Sequence, residues 1–158
     1  MNTWAWQIPS FLPPFLRQFR TDGLGELLAL GGNLLVESIP GGMAHRDTDP
    51  SMMDAYRAPF PDYWSRIGPL AFQRDIPLTE ADPSAETIGA VQERLPDLRV
   101  PLLVVWGMRD PVFRPVFIDQ WRELFPQAEV VEIADASHYL VEDRPDEVSS
   151  ALERFLAS

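Results

Sequence analysis

An aspartate and a histidine stand at corresponding places in the second half of the chain and could act together as an acid–base pair. Asp110 lies four residues past the apolar run "LLVVW" (102–106), and His138 lies five residues past the run "AEVVEI" (128–133). A carboxylate that accepts a ring N–H of a histidine fixes the tautomer of the ring and stabilises its protonated form, which leaves the other nitrogen to act as a base. The residue types and their places therefore predict general-base chemistry.

Two short strands are predicted to position this pair. Both apolar runs have the length and the β-branched content of strands, and amphipathic helices are predicted after them, at 115–125 and 145–157. The order strand, helix, strand, helix is typical of a parallel βα repeat, in which the loops that follow neighbouring strands meet at one edge of the sheet. The two side chains are therefore expected on the same rim. The predicted apolar helix faces are Phe117, Trp121, Leu124 and Phe125, and then Val148, Ala151, Leu152 and Phe155.

Between Pro9 and about Leu98 the sequence predicts short helices and no strand. Most of the 16 prolines lie in this stretch, where they interrupt helical patterns. The clearest helix is the last one, because Asp82 can cap it and Pro83 suits a first turn. The segment 41–50 is predicted to be a polar loop. The helical fragments are predicted at 11–20, 23–30, 33–39, 51–57, 62–74 and 84–95.

The composition restricts the class of partner. With 13 basic and 24 acidic side chains the net charge is −11, which repels nucleic acid and anionic membranes. The chain has no cysteine, and the sequence shows neither a metal-binding cluster nor a glycine-rich phosphate loop, so no metal or cofactor is predicted. The opening residues match neither a signal peptide nor a spanning helix, and a soluble, cytoplasmic chain is expected.

Each candidate residue also has a structural interpretation. Asp110 precedes a proline, a pairing that is common in turns, and His138 could be a hydrogen-bonded loop histidine. His45 lies in a polar loop and is expected to be a solvated surface residue. Arg109 and Arg114 are expected to be surface partners of carboxylates.

The predicted sheet has too few strands to cover its first strand, which is apolar along its whole length. A continuous apolar strand such as "LLVVW" requires neighbouring strands and helices on both faces, yet the sequence offers only one other strand. A nucleophile turn of the type G-x-[SDC]-x-G does not occur between Met1 and Ser158. The predicted acid and base therefore have no predicted nucleophile in these 158 residues.

Four segments of the sequence carry a resemblance to a known family. "PLLVVWGMRDPVF" and "FPQAEVVEIADASHYLVEDRPDEV" resemble the end of an α/β-hydrolase, and "NTWAWQIP" and "YRAPFPDYWSRIGPLAFQRDIP" resemble haloalkane dehalogenases. The resemblance implies an α/β fold class, a partial α/β-hydrolase with a helical cap followed by two parallel strands and flanking helices. Residues 1–98 would form the cap with the end of a preceding strand, and residues 99–158 the C-terminal part of the core.

The resemblance also implies roles for individual residues. Asp110 would be the triad acid and His138 the base that activates water against a covalent ester intermediate. Aromatic residues that could line a pocket for a small apolar substrate are Trp4, Trp6, Phe113 and Tyr139, although such residues are at least as often core. In the family the nucleophile, usually an aspartate in a G-x-D-x-G turn, precedes the cap.

The expected function is therefore that of a haloalkane dehalogenase-like fragment. It would be inactive alone and would need a second chain that carries the nucleophile. Two alternatives stay open: a non-catalytic remnant that acts as an interaction subunit, and an epoxide hydrolase-like fragment. Expressed alone, the chain is expected to be poorly soluble or to self-associate.

Overall fold

The computed structural model describes residues 2–7, 12–45 and 49–158, which form two compact units. The helical unit contains residues 6–7, 12–40 and 49–91, and the strand unit contains residues 2–5, 41–45 and 92–158. The predicted first residue of the helix at 11–20 and part of the predicted loop at 41–50 lie outside the described residues.

The helical unit consists of short helices, as the proline-rich sequence predicts. Its small core contains Phe19, Ala29, Leu30 and Leu70. Before the first strand of the chain, short 3-10 turns lie at Gln18–Arg20, Ile39–Gly42, Trp64–Arg66 and Leu95–Asp97, the last of them in the strand unit, and a π-helical turn lies at Leu27–Gly31. The helices of this part of the chain are α1 (Pro14–Arg17), α2 (Leu24–Glu26), α3 (Leu34–Glu37), α4 (Pro50–Arg57), α5 (Ile67–Asp75) and α6 (Ala85–Arg94).

The capping role predicted for Asp82 is wrong. Its Oδ2 atom accepts hydrogen bonds from the backbone amides of Leu78 and Thr79, which precede it, and its Oδ1 atom accepts one from Arg20. An aspartate can cap a following helix or close a turn with preceding amides, and here the arginine favours the second arrangement. The carboxylate therefore joins the segment before α6 to the turn at Gln18–Arg20.

The strand unit contains the predicted parallel pair of strands. Strand β1 (Leu103–Gly107) pairs with β2 (Glu129–Ile133), in a register that runs from Leu103 opposite Glu129 to Gly107 opposite Ile133. Residues 104 to 106 of β1 are buried, and Trp106 is only 1% exposed. The prediction of a two-stranded parallel sheet is thus confirmed, although β1 begins and ends one residue later than its apolar run.

Three helices accompany the strands: α7 (Pro115–Leu124), α8 (Leu140–Asp143) and α9 (Pro145–Ala157). In the main core, Val148 and Ala151 of α9 pack with Val105 and Ile133 of the sheet. One residue of the predicted helix faces is wrong, because Leu152 is exposed. The predicted face of α7 also omitted Ile118, which is buried. The residue Leu152 follows Ala151 and therefore points about 100° away from it around the helix. Within the described ranges, every helix is too short or too polar to cross a membrane.

Candidate active site

The Asp110 side chain is placed by a tight turn after β1. The strand ends at Gly107, and the Oδ1 atom of Asp110 accepts hydrogen bonds from the backbone amides of Val112, at 2.6 Å, and Phe113, at 2.9 Å. An aspartate that binds amides two and three residues ahead closes a turn by itself. Oδ1 therefore closes a turn, as the structural interpretation of Asp110 expected, and Oδ2 remains available for another hydrogen bond.

His138 comes to that other oxygen from the loop after β2. Its Nδ1 atom lies 2.9 Å from Asp110 Oδ2, while its backbone N–H donates to the carbonyl of Gly42. The preceding residue, Ser137, donates its backbone N–H to the carboxylate of Asp143 at 2.7 Å. The expectation that the two side chains share one rim is therefore met by a direct hydrogen bond.

Hydrogen-bond donors surround the Asp110 carboxylate, whose side chain is fully buried. Burial alone favours the neutral acid, but the hydrogen bond and charge of His138, with the amides of Phe113 and Val112, outweigh it and lower the pKa of Asp110. An ionised carboxylate can only accept hydrogen bonds, so Nδ1 of His138 must carry a proton. In the neutral ring, Nε2 is then the free base, and the imidazole remains about one third exposed.

Aromatic rings extend from the histidine on both sides. Phe113 lies with its ring centroid 5.5 Å from that of His138, and Trp4 lies 5.2 Å from Phe113. Tyr139 meets the His138 ring edge to face at 5.2 Å. Burial, with the nearby charge of Asp110, raises the pKa of the Tyr139 phenol, so it stays neutral at physiological pH. Three of the four predicted aromatic residues therefore adjoin one another or the histidine, whereas Trp6 is a buried residue of the helical unit.

Two glycines allow the close packing around the histidine loop. A Cβ atom at Gly107 would lie 2.4 Å from the carbonyl oxygen of Ser137, a distance that no real Cβ atom tolerates. A Cβ atom at Gly42 would lie 2.8 Å from the Tyr139 ring. The glycine that ends β1 is therefore needed for the loop after β2 to pass over it.

Sequence reasoning missed two polar residues of this site, Asn2 and Asp143. The Asn2 side chain exchanges two hydrogen bonds with the backbone of Gly107 and donates a third to Asp110 Oδ2 at 2.8 Å. Asp143 accepts from the amides of Ser137 and Ala44. A signal for Asn2 existed, since Asn2 begins the segment "NTWAWQIP" that carries the resemblance, and the resemblance implies that residues 1–98 include the end of a preceding strand. Nothing in the sequence around Asp143 distinguishes it from the other carboxylates.

The surface position expected for the other ionisable candidates is confirmed, because His45, Arg109 and Arg114 are all exposed. That the two arginines pair with carboxylates stays a prediction. In the described part of the chain, no group of three histidine, aspartate or glutamate side chains is arranged to hold a metal ion.

Comparison with known proteins shows the fold family to which the chain belongs. The family model for the alpha/beta hydrolase fold matches residues 25–145. The chain therefore belongs to the α/β-hydrolase fold family, and within it the sequence and the fold are haloalkane dehalogenase-like.

Individual relatives support this classification. The chain is 36% identical to the cis-3-alkyl-4-alkyloxetan-2-one decarboxylase of Shewanella oneidensis, over 99% of this chain and 50% of that protein. It is 30% identical to a haloalkane dehalogenase of Bradyrhizobium diazoefficiens, over 89% of this chain and 46% of that protein. A crystal structure of a haloalkane dehalogenase from Bradyrhizobium elkani superposes with a TM-score of 0.84 and 27% identity, over 99% of this chain and 55% of that one. The chain thus spans about half the length of the relatives it matches.

Proposed function

We propose that this chain contributes the acid–base pair of an α/β-hydrolase active site, with Asp110 as the acid and His138 as the base. The observation that carries the proposal is the 2.9 Å hydrogen bond between His138 Nδ1 and a fully buried Asp110 carboxylate. A buried carboxylate that holds a partly exposed imidazole by Nδ1 directs Nε2 toward proton transfer. The alternative interpretation of both residues as loop supports does not require this contact.

A haloalkane is the substrate class that we propose first. A carboxylate nucleophile from outside these 158 residues would attack the halogen-bearing carbon, so that a C–O ester bond forms while the C–halogen bond breaks and halide leaves. His138 Nε2 would then take a proton from water as the water oxygen attacks the ester carbonyl. The products are an alcohol, a halide ion and a proton, and the reaction consumes no cofactor.

A cis-3-alkyl-4-alkyloxetan-2-one is the second candidate substrate, and the higher identity to the Shewanella protein, 36% over 99% of the chain, favours it. Loss of carbon dioxide from such a ring breaks its C2–C3 and C4–O bonds and forms a C3=C4 double bond. Water is not consumed, so His138 would not deliver a water molecule in the net reaction. The two candidates therefore differ in whether solvent oxygen enters the product.

We also propose that residues 1–98 serve as the cap region and residues 99–158 as the C-terminal part of the hydrolase core. Trp4, Phe113 and Tyr139 would line the substrate site, which the ring contacts around His138 support. For Trp6 the proposal rests on the sequence resemblance alone.

Co-expression tests the function directly. The chain is produced together with the unmatched half of the Shewanella or the Bradyrhizobium relative, and the purified complex receives a bromoalkane, an alkyl oxetanone or an epoxide. Halide release supports the first candidate, and carbon dioxide with alkene supports the second. Diol formed only from the epoxide points to an epoxide hydrolase, and a complex that turns over none of the three points to a non-catalytic interaction subunit.

His138→Gln and His45→Gln are the matched variants, since the chain has only these two histidines. With a bromoalkane, we expect H138Q to release about one equivalent of halide and to retain the alkyl group as an ester adduct, visible by mass spectrometry. H45Q should turn over like the parent. Full turnover by H138Q would overturn the assignment of the base.

A further inference from the structure

Asn2 lies beside the end of β1, where its side chain links the strand to the Asp110 carboxylate. The Asn2 Nδ2 atom donates to Gly107 O at 2.9 Å and to Asp110 Oδ2 at 2.8 Å, and Oδ1 accepts from Gly107 N at 2.8 Å. The residue is only 9% exposed. Both side-chain N–H groups and the carbonyl oxygen are therefore engaged in a buried site.

This set of partners permits one orientation of the amide. If the group were flipped, its oxygen would face Gly107 O and Asp110 Oδ2, two acceptors, and its NH2 would face the Gly107 N–H. The amide is therefore fixed by the backbone of β1, and it presents an N–H group to Asp110 from a rigid strand end. The oxygen that receives this N–H is the one that also binds His138 Nδ1.

We propose that Asn2 is a positioning residue that holds the Asp110 carboxylate in the orientation in which Oδ2 receives the His138 Nδ1–H. Carboxylate torsions are broad, so two amides on Oδ1 alone leave Oδ2 free to tilt. A second donor on Oδ2, anchored to the strand, removes that freedom and helps to keep the carboxylate ionised and acceptor-only. The Nδ1–H tautomer of His138 then follows from the geometry.

A purely structural role for Asn2 would be limited to bracing Gly107. The two roles differ in a measurable way, because only the positioning role connects Asn2 to the titration of Asp110 and to the tautomer of His138. The expected effect of Asn2 on catalysis rests on the proposed function. The expected effects on the titration of Asp110 and on the tautomer of His138 do not, so they can be tested even if the proposed function is wrong.

The test begins with nuclear magnetic resonance of the full 158-residue parent chain. We expect an Asn2 side-chain amide proton to shift with the titration of the Asp110 carboxyl carbon, and the His138 nitrogens to report the Nδ1–H tautomer. His45 provides the internal reference. An Asn2 amide that does not follow the Asp110 titration would overturn the proposal without any variant.

Two near-isosteric variants then separate the roles. Asn2→Leu removes the donor, and Asn2→Asp replaces it with a charged acceptor. In both, Asp110 should titrate at a higher pH than in the parent, with the larger change for N2D because like charges oppose ionisation, and the Nδ1–H tautomer should lose population. Folded variants that keep the parental titration and tautomer would contradict the proposal.

Ser137→Ala is the matched control, because the Ser137 hydroxyl donates to Arg109 O at 3.2 Å, is buried beside the pair and does not touch the carboxylate. It should leave both readouts unchanged. In an active complex, N2L should lower kcat roughly 10- to 100-fold with little change in KM. Equal losses of activity in N2L and S137A would assign Asn2 a general structural role instead.

Discussion

The two oxygens of Asp110 have different partners, and this explains why a turn residue can also hold the His138 ring. Oδ1 closes the turn with the amides of Val112 and Phe113, while Oδ2 binds His138. A carboxylate has about four acceptor sites, so the two roles do not compete. The turn in fact aids the pair, because it engages Oδ1 and leaves Oδ2 to receive His138 and Asn2.

Asp82 shows how a partly buried carboxylate stabilises the helical unit. The backbone amides of Leu78 and Thr79 and the Thr79 hydroxyl lower the pKa of Asp82 to about 2, from an ordinary value of 3.8. Because the folded pKa is the lower one, the stabilisation is complete above about pH 3.8 and is lost as the pH falls toward 2.

We predict that Asp82→Asn removes this part of the acid dependence. The difference in unfolding free energy between the parent and D82N should be constant at neutral pH and should shrink as the pH falls from about 3.8 toward 2. Urea denaturation followed by circular dichroism from pH 7 to pH 2 measures it. A difference that stays constant down to pH 2 would contradict the assignment.

At the scale of elements, the end of β1 and the loop after β2 form the site because their backbones approach closely. Met108 N donates to Ile133 O, and Arg109 N donates to Ala136 O. The turn that carries Asp110 is thereby tied to the loop that carries His138. The absence of a side chain at Gly107 makes this approach possible.

We predict that Gly107→Ala separates the two loops. Its Cβ atom would collide with backbone atoms that cannot rotate away, so the free energy of unfolding should fall by about 2–3 kcal/mol, and the His138–Asp110 hydrogen bond should be lost. Gly68→Ala is the control, since a Cβ atom there meets nothing within 4 Å and lies in helix α5. It should leave stability unchanged or raise it by up to about 1 kcal/mol. Equal stability of G107A and G68A in urea denaturation would refute the steric argument.

We predict that Asp143→Ala loosens the loop before His138. The carboxylate accepts the amides of Ser137 and Ala44, so its removal leaves two donors without a partner. Hydrogen exchange at these two amides should accelerate roughly 10- to 100-fold, as expected for a charged hydrogen bond worth about 1.5–3 kcal/mol. The Phe125 amide, which donates to Trp121 O in α7, is the internal control and should exchange as in the parent. Unchanged exchange at Ser137 would show that the loop is held by other contacts.

At the scale of the whole molecule, the sheet has an open edge. Met108 N and Leu102 O bond to β2, whereas the backbone N–H and C=O of Gly107 bond to Asn2. The backbone groups of the even-numbered residues of β1 therefore face β2, and those of the odd-numbered residues face the opposite edge. Within the described ranges, the backbone N–H and C=O of Val105 at that edge have no partner, although the residue is buried. In the helical unit, Trp64 is 74% and Phe72 71% exposed. An open strand edge and exposed aromatic side chains both favour association.

We predict that the 158-residue chain, expressed by itself, self-associates. Sedimentation velocity over a range of concentrations should show oligomers that increase with concentration, despite a net charge of −11 that opposes association. Co-expression with the unmatched half of a relative should reduce this association, because a neighbouring strand would cover the edge. A concentration-independent monomer with one sharp melting transition would contradict the prediction.

The sequence by itself determined the elements and the identity of the central pair. The apolar runs predicted the bounds of β1 and β2 within one residue, and the helical periodicity predicted both ends of α9 and the end of α7 within one residue. The matching positions of Asp110 and His138 after two parallel strands predicted that they share one rim. These features depend on local pattern and on a general rule of sheet topology, which is why sequence reasoning reaches them.

Only the tertiary structure decided how the pair is held. Asn2 lies 108 residues from Asp110 in the chain, and Ala44 lies 99 residues from Asp143. Local patterns contain no trace of such contacts, since a hydrogen bond between distant segments depends on how the chain folds back. For the same reason the sequence could identify Gly107 as the end of a strand but could not show that another backbone passes where its side chain would be.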